Sequence, residues 1–161
     1  RIMHEIISYI NDEIDDPQRI YYTLENNTIG EAALISLAEF GEEQFPGMML
    51  SEAKKAGVGR RFRKGFTTTN KSKLTACAKM KTLIETGKLT INSSALVSEL
   101  KGFVAHGTSY AAKPGGTDDL VMSTVLIIRM LQTLQNYHPE LSNSIKDYND
   151  SVIEPMPFIL F

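Results

Sequence analysis

The chain has one cysteine, Cys77, in 161 residues. A single thiol excludes an intramolecular disulfide and suits a reducing compartment. Long apolar runs are also missing. They stop at four residues, as in Val125-Leu126-Ile127-Ile128, far short of the roughly 20 needed to span a bilayer. The first ten residues include Arg1, His4 and Glu5, with no small-residue cleavage site after them, so no signal-peptide pattern is visible. There is no Gly-rich loop ending in Lys-Ser/Thr, which excludes a phosphate cradle of that type. Internal repeats and low-complexity tracts are absent as well. Arg1 opens directly into a helical pattern, and the chain reads as a segment of something larger.

What is present is ordinary in bulk. Hydrophobic residues make up 42% and charged residues 22%, which fits one globular domain with a sizeable core. The net charge of −2 conceals a segregation. Residues 1–53 carry −9, residues 54–81 carry +10 with no acid, and residues 82–161 carry −3. A basic stretch without counter-charge is a candidate polyanion contact. The plainer alternative is a solvated basic face beside an acidic neighbour.

The periodicities predict alternating elements. Ile2, Ile6, Ile7 and Ile10 predict an amphipathic helix over 1–14, ended by Asp15-Asp16-Pro17. Arg19 to Leu24 reads as a buried strand, with Glu25 at its carboxyl end. Asn26-Asn27-Thr28 supplies the turn and cap of a helix reaching Phe40, with Ile29, Ala32, Ala33, Leu37 and Phe40 inward. A short strand is expected at Met48 to Leu50, then a loop or flexible hairpin over 54–69. Thr69 or Asn70 caps the next helix and Gly87 stops it. Lys88 to Ile91 reads as a strand. Ser93 or Ser94 caps a helix with Leu96, Val97, Leu100 and Phe103 inward. Thr108 to Lys113 reads as a strand. The last helix runs from Asp118 to about Asn136, with Leu120, Val121, Val125, Ile128, Leu131 and Leu134 as its stripe. Such alternation predicts an α/β layered domain.

Two places carry candidate chemistry. Glu25 stands at a strand end, where α/β proteins gather ligands. Asp118 and Asp119 follow Gly115-Gly116-Thr117 and open a helix. Acids at an apolar boundary cost desolvation energy unless neutralised, and hard carboxylate oxygens suit Mg2+ or Mn2+. The combination suggests a metal-dependent phosphodiester cutter. Each motif also has a plain alternative. A lone strand-end acid is commonly a solvated terminus, and acids in a first helical turn cap the macrodipole. His4, His106 and His138 show no ligand spacing and read as surface or capping residues. Cys77 reads as a packed small hydrophobe, and Arg129 as a snorkelling side chain on the last helix.

Four motifs in order carry a resemblance. They are Leu24-Glu25-Asn26-Asn27-Thr28-Ile29-Gly30, Thr67-Thr68-Thr69-Asn70-Lys71-Ser72, Glu99-Leu100-Lys101-Gly102-Phe103 and Gly116-Thr117-Asp118-Asp119-Leu120-Val121-Met122. Over residues 1–136 the chain resembles the nuclease domain of tailed-bacteriophage large terminase subunits, DNA-packaging motors that cut concatemeric viral DNA. The remaining residues, 137–161, read as a C-terminal tail. The resemblance implies an RNase H-like α/β fold, a mixed central sheet flanked by helices. It implies a two-metal Mg2+ or Mn2+ site with Glu25, Asp118 and Asp119 as catalytic ligands. Lys54, Lys55, Arg60, Arg61, Arg63, Lys64, Lys71 and Lys73 would track DNA phosphates.

The implied partners are double-stranded DNA, the portal protein, the small terminase subunit and an upstream ATPase domain of the same parent chain, with no membrane. The implied location is the host cell cytoplasm. The match starts after the family's first strands, so its first aspartate has no counterpart here. The family's histidine before the acidic pair is Thr117 in this chain. Two other functions fit the same residues. One is another RNase H-like DNA nuclease, a relative of resolvases or transposases. The other is a non-catalytic module docking DNA or a portal ring, with the acids as caps.

Overall fold

The computed structural model describes residues 2–14, 20–52 and 64–137. They form a mixed α/β fold. In chain order the elements are α1 (Ile2–Glu13), β1 (Tyr21–Tyr22), α2 (Thr28–Phe40), β2 (Met48–Met49), α3 (Asn70–Glu85), α4 (Ser94–Gly102), β3 (Phe103–His106), β4 (Ser109–Ala112) and α5 (Asp119–Tyr137). Lys54, Lys55, Arg60, Arg61 and Arg63, the Asp15-Asp16-Pro17 stop, His138 and nearly all of the tail lie outside the described residues.

The expected single central sheet is two small ladders among the described residues. β1 and β2 are parallel, with Tyr21 opposite Met48 and Tyr22 opposite Met49. Beyond β1 the ladder continues as one parallel bridge between Glu25 and Phe66. The bonds share one edge of the strand. Ile20 O accepts from Met48 N, Tyr22 O from Leu50 N, and Leu24 O from Phe66 N at 2.8, 2.8 and 2.9 Å. The stretch from Ile20 to Asn26 therefore pairs first with Met48 to Leu50 and then with Phe66. Glu52 N donates to Gly65 O at 3.2 Å.

The second ladder is an antiparallel hairpin of β3 and β4, with Phe103 opposite Ala112 and His106 opposite Ser109. Sequence periodicity places Phe103 inside a helix. Instead α4 ends at Gly102 and the chain turns at Gly107-Thr108. The expected strand at Lys88 to Ile91 is a helix terminus. Gly87 N donates to Ile84 O at 3.1 Å and Lys88 N to Leu83 O at 2.8 Å. That paired arrangement is the Schellman stop, and it needs the left-handed φ of +68° that Gly87 adopts. Leu89 follows and packs on the core instead of extending.

Two apolar clusters hold the fold. The larger joins α3 and α5 through Ala76, Cys77, Met80, Val121, Val125 and Ile128. Three residues of the expected α5 stripe, Val121, Val125 and Ile128, are buried, while Leu120 is 42% exposed. The smaller gathers Ile7, Ile20, Leu37 and Phe45. It uses few of the predicted inner residues. Ile29 is 87% exposed, and Ile2, Ile6, Ile10 and Phe40 are also exposed. His4 is half-buried, with its ring 5.3 Å from Phe40 and 5.2 Å from Phe45, so it packs with aromatic rings instead of standing on the surface.

Candidate functional site

Glu25 sits in the bridge to Phe66, at the carboxyl end of the strand. Three local contacts explain the residues around it. Asn26 is buried and acts as a clasp: its Nδ2 donates to Lys64 O at 3.1 Å, and its Oδ1 accepts from Thr67 Oγ1 at 2.8 Å. Asn27 takes the N-cap position of α2 but makes no side-chain cap. Its Nδ2 donates to Glu25 Oε1 at 2.9 Å instead. Gly30 lies against the backbone of Glu25, where an added Cβ would stand 1.6 Å from Glu25 O. Only glycine permits that approach. The motif thus presses the first turn of α2 onto Glu25 and holds one carboxylate oxygen.

Asp118 and Asp119 stand at the start of α5. Asp118 O accepts from Met122 N at 2.8 Å, the first bond of the helix. Neither aspartate side chain caps the helix. Glu99, reaching over from α4, does so. Its Oε2 accepts from Leu120 N at 2.8 Å and Val121 N at 3.2 Å, and its Oε1 accepts from Thr117 Oγ1 at 2.9 Å. A carboxylate there satisfies orphan amides and meets the positive end of the macrodipole. The capping duty assumed for the aspartate pair belongs to Glu99. Asp118 faces Lys73 Nζ at 3.8 Å. Lys73 in turn lies over the Phe103 ring, 5.2 Å from its centroid. Thr117 is a hydrogen-bond donor to Glu99.

A buried cation on α5 lies near Glu25. Arg129 is 6% exposed, so it does not snorkel. Its Nη2 donates to Glu52 and, at 3.1 Å, to Thr67 O. Its guanidinium stacks 4.9 Å from the Phe66 ring centroid. Nη1 is buried without a hydrogen-bond partner among the described residues. Burial pulls the guanidinium below its ordinary pKa, and the nearby Glu25 carboxylate pushes it back up. Arg129 thus pins α5, which carries the aspartates, to the segment that pairs with Glu25. No local pattern announces this role, because its partners lie 62 and 77 residues upstream.

Of the predicted DNA contacts, Lys64 is exposed and paired with Glu42, Lys71 is exposed on α3, and Lys73 pairs with Asp118. The three predicted ligands suit a hard divalent cation in kind, since all are carboxylates. They do not close a set by themselves. Among the described residues no three His, Cys, Asp or Glu side chains come together as a metal-holding group. Among the same residues no helix is long and apolar enough to cross a membrane. No protein-family model matches the chain.

Proposed function

We propose that this chain is the nuclease part of a viral large terminase, an RNase H-like, metal-dependent DNA endonuclease that cuts without strong sequence preference. The observation that carries this reading is the capping of α5 by Glu99. Glu99 releases Asp118 and Asp119 from the structural duty that acids at a helix start usually serve. Among the described residues the Asp118 side chain keeps only a cation, Lys73, at 3.8 Å. Glu25, placed by Gly30 and Asn27, supplies the strand-end carboxylate of the same family pattern.

In this reading Glu25, Asp118 and Asp119 are the ligands that this chain gives to Mg2+ or Mn2+. The bound ions would activate water and offset charge on the leaving oxygen. Glu99 fixes the first turn of α5, so the aspartates project from a rigid end. Arg129 ties that helix to the strand partner of Glu25. Lys73 and the basic residues before it draw in the DNA backbone. Duplex DNA, a portal ring, a small terminase subunit and an ATPase domain of the parent chain are the partners that follow.

The test is nicking of supercoiled plasmid in Mn2+ by wild type, Glu25→Gln and Asp118→Asn. Loss of cutting in both variants, with fold and DNA binding kept, supports the reading. Cutting that survives both changes makes these acids structural and defeats it.

A further inference from the structure

We propose that the cleft beside the Gly115-Gly116 turn binds a backbone phosphate of duplex DNA, with Lys101 and Lys113 as its cations. The proposal rests on the nuclease reading and specifies where the DNA runs beside Asp118. The cleft has a volume of about 380 Å³ and is lined by the last turn of α4, the end of β4 and the turn that leads into α5.

Its construction favours an anion. Lys113 is held in place by its backbone, since its N donates to Gly102 O at 2.9 Å. Its stem lies over Gly102, where an added Cβ would meet Lys113 Cε at 3.8 Å. Lys101 precedes Gly102 on the same rim. Both lysines are exposed, and neither makes an ion pair among the described residues. Gly115 and Gly116 are exposed and put no side chain into the cleft, and Gly116 N donates to Lys113 O at 2.9 Å.

Two of the acids nearby, Glu99 and Asp118, already have partners. Glu99 lines the cleft, yet its oxygens are taken by the Thr117 hydroxyl and two amides of α5. Asp118 faces Lys73. The lysines of the cleft are therefore the unspent charge at this end of α5. Thr117 lines the cleft and Asp118 follows it directly. Lys73 and the cleft thus both adjoin the Asp118 position. Carboxylates repel phosphates, so a cutting site needs cations beside it. Lys73 and the Lys101–Lys113 cleft both supply such cations next to Asp118.

The test is binding of a fluorescent 20-base-pair duplex in EDTA, followed by anisotropy across a salt series. Wild type is compared with Lys101→Ala/Lys113→Ala, with Lys101→Arg/Lys113→Arg, and with Lys88→Ala as a control for bulk charge. Each lost phosphate contact should lower the slope of log K against log salt by about 0.9. The double alanine variant should lose about 0.9 from the slope, the double arginine variant should keep it, and Lys88→Ala should change it by less than about 0.3. A double alanine variant that matches Lys88→Ala overturns the proposal. Because no metal is present, this result is independent of cutting. Plasmid nicking that fails in wild type while the slope falls as expected would defeat the nuclease reading and leave the phosphate site standing.

Discussion

Replacing Glu99 separates a cap from a catalyst. Glu99→Ala removes the acceptor for Leu120 N and Val121 N. Loss of a side-chain cap costs about 0.5–2 kcal/mol. Loss of a negative charge at a helix start costs about 0.3–1 kcal/mol more. The Thr117 hydroxyl is exposed and turns to water at little cost. The Val121 amide is only part-exposed, above a fully buried side chain, which puts the cost in the upper half of the range. Glu99→Ala should therefore lose about 2 kcal/mol, and Glu99→Gln, which keeps one acceptor oxygen, less than about 1 kcal/mol.

Urea denaturation with a common slope is the assay. Far-ultraviolet circular dichroism should show the loss without a change of fold. Wild-type stability in Glu99→Ala would refute the capping argument. So would Glu99→Gln that is as stable as wild type yet unable to cut DNA, because Glu99 would then act in the chemistry.

Three further outcomes follow from the site. Arg129→Met should cost about 1–2 kcal/mol, below the range for fully buried ion pairs, because Glu52 is 41% exposed and can rehydrate; urea titration checks it, and a loss above about 4 kcal/mol would mean that the pair carries more of the fold than its exposure allows. Gly30→Ala should destabilise by about 3 kcal/mol or more, since its Cβ would overlap Glu25 O, and should reduce cutting in proportion to the displaced Glu25; a stable, fully active variant would contradict the close packing. Burial raises the Cys77 thiol pKa, with Lys73 opposing, so thiolate is scarcer in the folded protein than in the unfolded chain near pH 8. Iodoacetamide should then label native protein much more slowly than urea-unfolded protein, and equal rates would show that Cys77 is accessible.

Local chemistry made much of the framework legible. Thr69 and Ser72 form a reciprocal capping box at the start of α3, and Ser93 Oγ accepts from Leu96 N at the start of α4. Both signals lie within four residues of sequence. The α5 stripe was equally readable at Val121, Val125 and Ile128, because a strong helical period survives in any fold. The β3–β4 hairpin was not readable. Val104, Ala105 and His106 are exposed, so no in-out alternation marks the strand, and Phe103 completes an apparent helical period.

The apolar faces of α1 and α2 misled in the opposite direction. Most of their large side chains stay exposed, which periodicity alone cannot show. At the site, Glu25 and the aspartate pair stood out because acids beside apolar elements are conspicuous. Glu99 and Arg129 did not. Glu99 caps amides 21 and 22 residues downstream, and Arg129 bonds across 62 and 77 residues. Their roles exist only once the chain is folded.

Direct binding of Mn2+, followed by calorimetry in wild type, Glu25→Gln, Asp118→Asn and Glu99→Gln, tests the central claim. Carboxylate ligands at Glu25 and Asp118 predict affinity weakened about tenfold or more in the first two variants and held within about twofold in Glu99→Gln. Equal affinity in all four proteins, or no binding in wild type, would contradict it.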